Sequence, residues 1–165
     1  HRENAYALGL RGNQYAAVTL TDVLEHIPEP VALLRSVAPL VEPGGWVGVK
    51  VPCGAAQWQK ERALHALKPS RRVSLADNLV HVNHFSPQSL ALALSHAGFT
   101  RVRLRTAPPE LLPLDGSPWR PALANALRLA VYAAGRLPGA VRTPLALHLQ
   151  AFAQRPIDAR TGGVR

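Results

Sequence analysis

The sequence predicts an α/β domain in which buried parallel strands alternate with helices. Residues 15–20 form an apolar strand that ends at a polar pair, Thr21 and Asp22. An amphipathic helix over residues 30–41 precedes a second strand at 46–51, and a helix starting near Ser86 precedes a third at 99–106. This alternation is typical of α/β sheets, and 165 residues suffice for one such domain with a core.

The first strand and the turn after it organise the chain. Ala16, Ala17 and Val18 are apolar without alternation, which predicts a strand buried on both faces. Open α/β sheets bind ligands where such strands end, which favours a ligand role for Asp22. Asp22 and Glu25 also have the D-x-x-E spacing of a capping box. Both interpretations of Asp22 are compatible at this stage.

The middle of the chain alternates helix, turn and strand. The helix at 30–41 begins at a proline, and Pro39 predicts that its last turn is bent or lost. Pro43-Gly44-Gly45 predicts a tight turn before the second strand. The long connection at 53–85 contains a helix at 57–67 and a basic loop at 68–77, and connections of this length often contact substrates.

The last part of the chain supplies two more strands. Ser86 caps a helix that has a proline at its first position, and Gly98 ends it. Arginines alternate with apolar residues along the strand at 99–106, so we expect a peripheral strand with one solvent-exposed face. A helix at 121–136 aligns Leu123 with Leu127, and a fourth strand covers 145–153.

Composition excludes several classes of protein. The charge is +9, yet the arginines are scattered and no zinc-knuckle or RNA-recognition pattern appears, so nucleic-acid binding is a minor alternative. One cysteine, Cys53, excludes a disulfide framework. We find no signal peptide and no apolar run of membrane-spanning length, which predicts a cytoplasmic protein that does not associate with membranes. The chain begins at His1 and lacks methionine, so we expect a fragment.

Three segments together resemble class I S-adenosylmethionine-dependent methyltransferases, in the small-molecule branch that includes the ubiquinone-biosynthesis O-methyltransferases. They are TLTDVLEHIPEPVALLRSVAPLVEPGGWVGVKVP at 19–52, HVNHFSPQSLALALSHAGF at 81–99 and LALHLQAFAQRP at 145–156. The resemblance implies a Rossmann-like sheet of seven strands, of which this chain supplies the fourth to the seventh. Residues 1–156 would then be a partial domain without the N-terminal strands and glycine-rich cofactor loop, and 157–165 a disordered tail.

The resemblance also implies site residues. Leu20, Thr21 and Asp22 would contact the cofactor, S-adenosyl-L-methionine. His26 would face the methyl-transfer site as a base or a substrate contact, unless it only bonds to nearby backbone. Asn83 with His84 would contact the substrate. His26, His81 and His84 do not have a familiar zinc spacing, so we predict no metal.

The implied function is methyl transfer to a small-molecule or glycan-like acceptor. As a fragment, the chain is expected to be inactive or feeble. The alternative is a non-catalytic, methyltransferase-like interaction module. The oligomeric state and the atom that accepts the methyl group stay open.

Overall fold

A computed structural model describes residues 15–67, 81–113, 119–143 and 145–157. The predictions for the basic loop at 68–77 and for the tail beyond residue 157 lie outside the described residues, as do residues 1–14. The strands are β1 (Tyr15–Thr21), β2 (Val41–Pro52), β3 (Thr100–Thr106) and β4 (His148–Gln154). The helices are α1 (Pro30–Val37), α2 (Gly54–Leu67), α3 (Pro87–His96) and α4 (Trp119–Gly135).

The four strands form one mixed sheet in the order β1-β2-β4-β3. β1 pairs with β2 in parallel, with Leu20 opposite Val49, whereas β4 is antiparallel to both β2 and β3. The ends of β1, β2 and β3 therefore share one edge with the start of β4. We call this edge the carboxyl rim; it runs from Thr21 past Pro52 and His148 to Thr106. The predicted peripheral position of β3 is confirmed.

The tight turn predicted at residues 43–45 is wrong, because these residues lie within β2. The pairing shifts from Tyr15 opposite Val41 to Ala17 opposite Trp46, so the extra residues form an irregularity in the strand. A Cβ on Gly45 would lie 2.7 Å from the carbonyl oxygen of Ala16. Only glycine allows the two strands to approach so closely at this bulge.

Pro39 determines where α1 ends, and Ser86 determines where α3 begins. α1 ends at Val37 and continues as a 3-10 turn over Ala38–Leu40, because Pro39 has no N–H for an α-helical bond. Ser86 caps α3: its hydroxyl accepts from the backbone N–H of Ser89, and the Ser89 hydroxyl accepts from the N–H of Ser86. Both predictions, the lost last turn and the serine cap, are confirmed.

The core lies around the two central strands. Val47, Val49 and Val51 of β2 and Ala151 and Ala153 of β4 are buried. α1 covers them with Leu33, Leu34 and Val37, and α3 with Leu90 and Leu94.

One expectation about burial is wrong, and a helix later in the chain has an unexpectedly exposed apolar side. β1 is not buried on both faces: Ala16 and Ala17 are exposed, because β1 is the edge strand of the described sheet. α4 directs Leu123 and Leu127 away from the core, each 65% exposed. In the described part of the chain, no helix combines the length and the apolar character needed to cross a membrane.

Candidate functional site at the carboxyl rim

Asp22 lies directly after β1 with an unusual backbone. Its φ is 53°, in the left-handed region, while its N–H donates to the carbonyl of Lys50 at 3.0 Å. Its carboxylate accepts from the Lys50 ammonium at 3.3 Å. The capping box predicted for Asp22 and Glu25 is wrong, because the 3-10 turn Leu24–His26 has Val23 at its N-cap and no side-chain cap.

The other predicted cofactor residues flank this turn of the chain. Leu20 is half-buried and packs against the core, and Thr21 is exposed at the end of β1. The parallel pairing of β1 with β2 therefore brings Leu20, Thr21 and Asp22 to the rim, as the sheet topology requires. The contacts of these residues with a cofactor stay a prediction.

Lys50 links Asp22 to a second acid across the rim. Its ammonium donates to Glu110 at 3.1 Å as well as to Asp22, and only 17% of its side chain is exposed. Burial alone would lower the pKa of Lys50, but the hydrogen bonds to Glu110 and Asp22 and their charges outweigh it and raise the pKa. The pKa of Glu110 lies below its ordinary value because its carboxylate accepts the hydrogen bond from Lys50.

His148 is the first residue of β4 and lies beside these charges. Its Nδ1 is buried and has no hydrogen-bond partner among the residues that the structure describes. Burial lowers the pKa of His148, and the positive charge of Lys50 lowers it further. Both effects favour the neutral imidazole.

A cavity of about 470 Å³ opens beside His148. Residues from α2, the segment after β3, α4 and the start of β4 line it, which brings four separate parts of the chain together. The lining residues are Ala56, Gln57, Pro109, Glu110, Arg128, Leu147 and His148. An open, partly apolar cavity with a carboxylate, a guanidinium and an imidazole suits a polar organic ligand.

A second group of side chains surrounds His26. Glu25 is 2% exposed, and its Oε1 lies 4.0 Å from Nε2 of His26. The rings of His26 and His81 lie 5.0 Å apart, centroid to centroid. Donor atoms of Glu25, His26 and His81 all lie within 4.8 Å of one another, so this group can hold a metal ion. His84, the other histidine considered from the sequence, does not belong to it.

Asn83 and His84 occupy different positions. The Asn83 amide donates to the carbonyls of Leu24 and Ile27, and its backbone N–H donates to that of Glu25. Asn83 thus fastens its segment to the turn that carries His26, and its side-chain N–H groups point into the protein. His84 is exposed and lies against Gly54, at the start of α2. A substrate contact for either residue stays a prediction.

Sequence reasoning missed Lys50, Glu110, Arg128 and His148. Lys50 interrupts an otherwise apolar strand near its end, and His148 follows an apolar run, so both carried a weak signal. Glu110 and Arg128 carried none, because only the fold brings them to the rim.

The geometry defines a class: an α/β sheet with polar and charged side chains gathered at the carboxyl rim, where such sheets bind ligands. Residues 3–104, more than half of the chain, match the profile of a family described as a methyltransferase domain. The chain belongs to this methyltransferase-domain family.

Individual relatives agree with the family. A ubiquinone biosynthesis O-methyltransferase from Bordetella avium is 49% identical over 37 residues, which cover 22% of this chain and only 15% of that protein. Two solved structures of SAM-dependent methyltransferases share the fold. The structure from Thermotoga maritima superposes with a TM-score of 0.56 at 13% sequence identity. The match includes 93% of this chain and 61% of that protein. The one from Archaeoglobus fulgidus has a TM-score of 0.53 at 14% identity, with 94% of this chain covering 66% of it.

The predicted Rossmann-like methyltransferase fold is therefore confirmed. The likeness to these solved structures concerns the fold alone, since the identities are low.

Proposed function

We propose that the domain transfers a methyl group from S-adenosyl-L-methionine to a small-molecule acceptor at the carboxyl rim. The observation that carries the proposal is the position of Asp22, at the end of a parallel strand pair in a chain of the methyltransferase-domain family. The cofactor supplies an activated methyl group on a sulfonium. The protein must then align the donor carbon with the acceptor and exclude water.

The residues after β1 fit one end of this cofactor. The Asp22 side chain is 36% exposed, so its carboxylate can accept hydrogen bonds from the ammonium of the methionine part while it still contacts Lys50. Leu20 offers an apolar surface beside it, and Thr21 an exposed hydroxyl. The left-handed backbone of Asp22 directs its side chain at some conformational cost, a pattern that is common at functional sites.

His26 is the base that we propose for a hydroxyl acceptor. Oε1 of the buried Glu25 side chain lies 4.0 Å from Nε2 of His26, which places this carboxyl group where it can orient the imidazole. His84, exposed next to Gly54, is available to contact a small-molecule or glycan-like acceptor. Asn83 would position the turn of His26 through its hydrogen bonds.

His148 is a second candidate for the base. Its environment favours the neutral form, and it lines the cavity and has a buried Nδ1 without a partner in the described part of the chain. Replacing His26 and His148 separately by glutamine and measuring rate against pH would decide between them. Loss of the rising limb of the profile in one variant alone identifies the base.

Calorimetric titration with S-adenosyl-L-methionine tests the proposal directly. The titration uses this chain and any longer product of the same reading frame. We expect saturable binding that D22N weakens about tenfold, since a charge-assisted hydrogen bond is lost. E42Q removes one exposed acid from β2 and is the matched control, with binding unchanged. If neither product binds the cofactor, the proposal is wrong and the non-catalytic interaction module takes its place.

A further inference from the structure

The polarity of α4 is inverted relative to that of an ordinary surface helix. Most of its exposed residues are apolar, and we call seven of them the α4 apolar face. They are Trp119, Ala122, Leu123, Ala126, Leu127, Ala130 and Ala133. Trp119 is 61% exposed, and Leu123 and Leu127 are each 65% exposed. At 100° per residue, these positions fall within one continuous sector of the helix.

Two polar side chains of α4, Asn125 and Arg128, are directed to the protein instead. The amide of Asn125 accepts from the N–H of Leu112 at 2.8 Å and donates to its carbonyl at 2.9 Å. Arg128 donates to the carbonyl of Glu110 at 2.7 Å. These hydrogen bonds fix the rotation of the helix, so the apolar face is held outward. Leu111 and Leu112 are themselves exposed and extend the apolar surface beside the helix.

The charged residues of α4 and of the chain that follows it up to residue 157 are all basic. The sequence from 116 to 157 contains no aspartate or glutamate and five arginines. Arg120 is exposed at the start of α4 with its guanidinium 5.1 Å from the Trp119 ring centroid, and Arg136 is exposed just past its end. An apolar face with a tryptophan and flanking arginines is the pattern of helices that lie in the plane of a membrane interface.

We propose that the α4 apolar face docks on the surface of an anionic lipid bilayer. The helix would lie flat, with Leu123 and Leu127 among the acyl chains and the arginines at the headgroups. This inference does not depend on methyl transfer, and it departs from the expectation that the protein does not associate with membranes. It requires no membrane-spanning segment.

The charge pattern favours a bilayer over a second copy of the chain. Two copies packed through this face would bring Arg120 and Arg136 of both together, and residues 116–157 offer no acid to pair with them. Anionic headgroups supply the missing negative charge, because a negatively charged membrane surface attracts arginines that lie close to it. The apolar face likewise disfavours nucleic acid, whose backbone has no apolar counterpart for two leucines.

Flotation with lipid vesicles tests the proposal on the full chain. The vesicles contain phosphatidylcholine alone or phosphatidylcholine and phosphatidylglycerol in equal parts. We expect the protein to float with the mixed vesicles and far less with the neutral ones. L123Q/L127Q should weaken binding about tenfold or more, because two apolar anchors are lost. R120Q/R136Q should remove most of the preference for phosphatidylglycerol.

The variants change side chains that are already exposed, so the fold should persist, as urea unfolding can verify. L92Q is the matched control: Leu92 is 56% exposed on α3, and its replacement should leave flotation unchanged. The proposal fails if the wild-type protein does not float, or if L123Q/L127Q binds vesicles as well as wild type. It also fails if sedimentation equilibrium shows a dimer that L123Q/L127Q dissociates while vesicles are not bound.

Discussion

Asp22 has a backbone conformation that few residue types tolerate. Its φ of 53° lies in the left-handed region, which aspartate and asparagine enter more easily than alanine does. We therefore expect D22A to lower the free energy of unfolding by about 1 kcal/mol more than D22N, since both variants lose the charge that faces Lys50. Urea unfolding of the two variants measures this difference. Equal stabilities would mean that the backbone conformation has no cost here.

His148 should make the stability of the fold depend on pH. Burial of His148 and the positive charge of Lys50 lower the pKa of its imidazole in the folded state. As the pH falls, the imidazole therefore becomes protonated near pH 6.5 in the unfolded chain, but only at a lower pH in the folded chain. The unfolded state then holds more protons in the window just below about pH 6.5, so the free energy of unfolding falls as the pH falls through it. H148Q should flatten this slope.

Urea unfolding at several pH values between about 5 and 7.5 measures the slope. H96Q is the control, because His96 is an exposed side chain at the end of α3. An H148Q variant that keeps the full slope of the wild-type protein would show that His148 is not the group responsible.

The sequence indicated the part of the site that a single segment encodes. A polar pair at the end of an apolar strand was enough to place Thr21 and Asp22 at the carboxyl rim, because strand direction decides which edge they reach. Lys50 with Glu110, and the cavity beside His148, could not be predicted in this way. Lys50 and Glu110 are 60 positions apart in the sequence, and the cavity is lined by four separate segments of the chain.

At the scale of elements, α4 shows what periodicity can and cannot predict. The spacing of Leu123 and Leu127 indicated a helix, and the helix is present. Periodicity alone did not reveal which side faces the protein, because that is decided by the bonds of Asn125 and Arg128 to the segment after β3. The bulge in β2 could not be predicted from the sequence pattern either. Consecutive glycines such as Gly44 and Gly45 are compatible with a tight turn as well as with a strand irregularity.

Ser86 and Ser89 cap the start of α3 reciprocally. The Ser86 hydroxyl satisfies the N–H of Ser89, which has no partner within the helix. S86A should therefore lower the free energy of unfolding by about 1 kcal/mol, and S86N or S86D should restore most of it. S95A, near the exposed C-terminal end of the same helix, is the control and should have little effect. A loss in S95A as large as in S86A would contradict the capping explanation.

For the whole molecule, stability should be distributed very unevenly. β2 and β4 are central in the sheet, and their inward residues, such as Val49 and Ala151, are fully buried. Gly135 is the buried residue of α4, where the Thr106 hydroxyl donates to its carbonyl at 2.6 Å. Regions with few buried apolar contacts open locally at a lower free energy than the core. We therefore expect amides of α4 to exchange about a hundredfold faster than those of β2 and β4.

Hydrogen-exchange mass spectrometry on the protein alone measures this difference, and α3 is the internal reference for a helix with a buried face through Leu90 and Leu94. α3 should exchange at rates close to those of the core, because opening it would expose these leucines to water. If α4 were protected as strongly as α3 in dilute solution, its apolar face would have to be covered in the free protein. That result would contradict the exposed face on which membrane docking depends, whereas fast exchange that slows on adding anionic vesicles would connect the stability of this helix to its proposed contact.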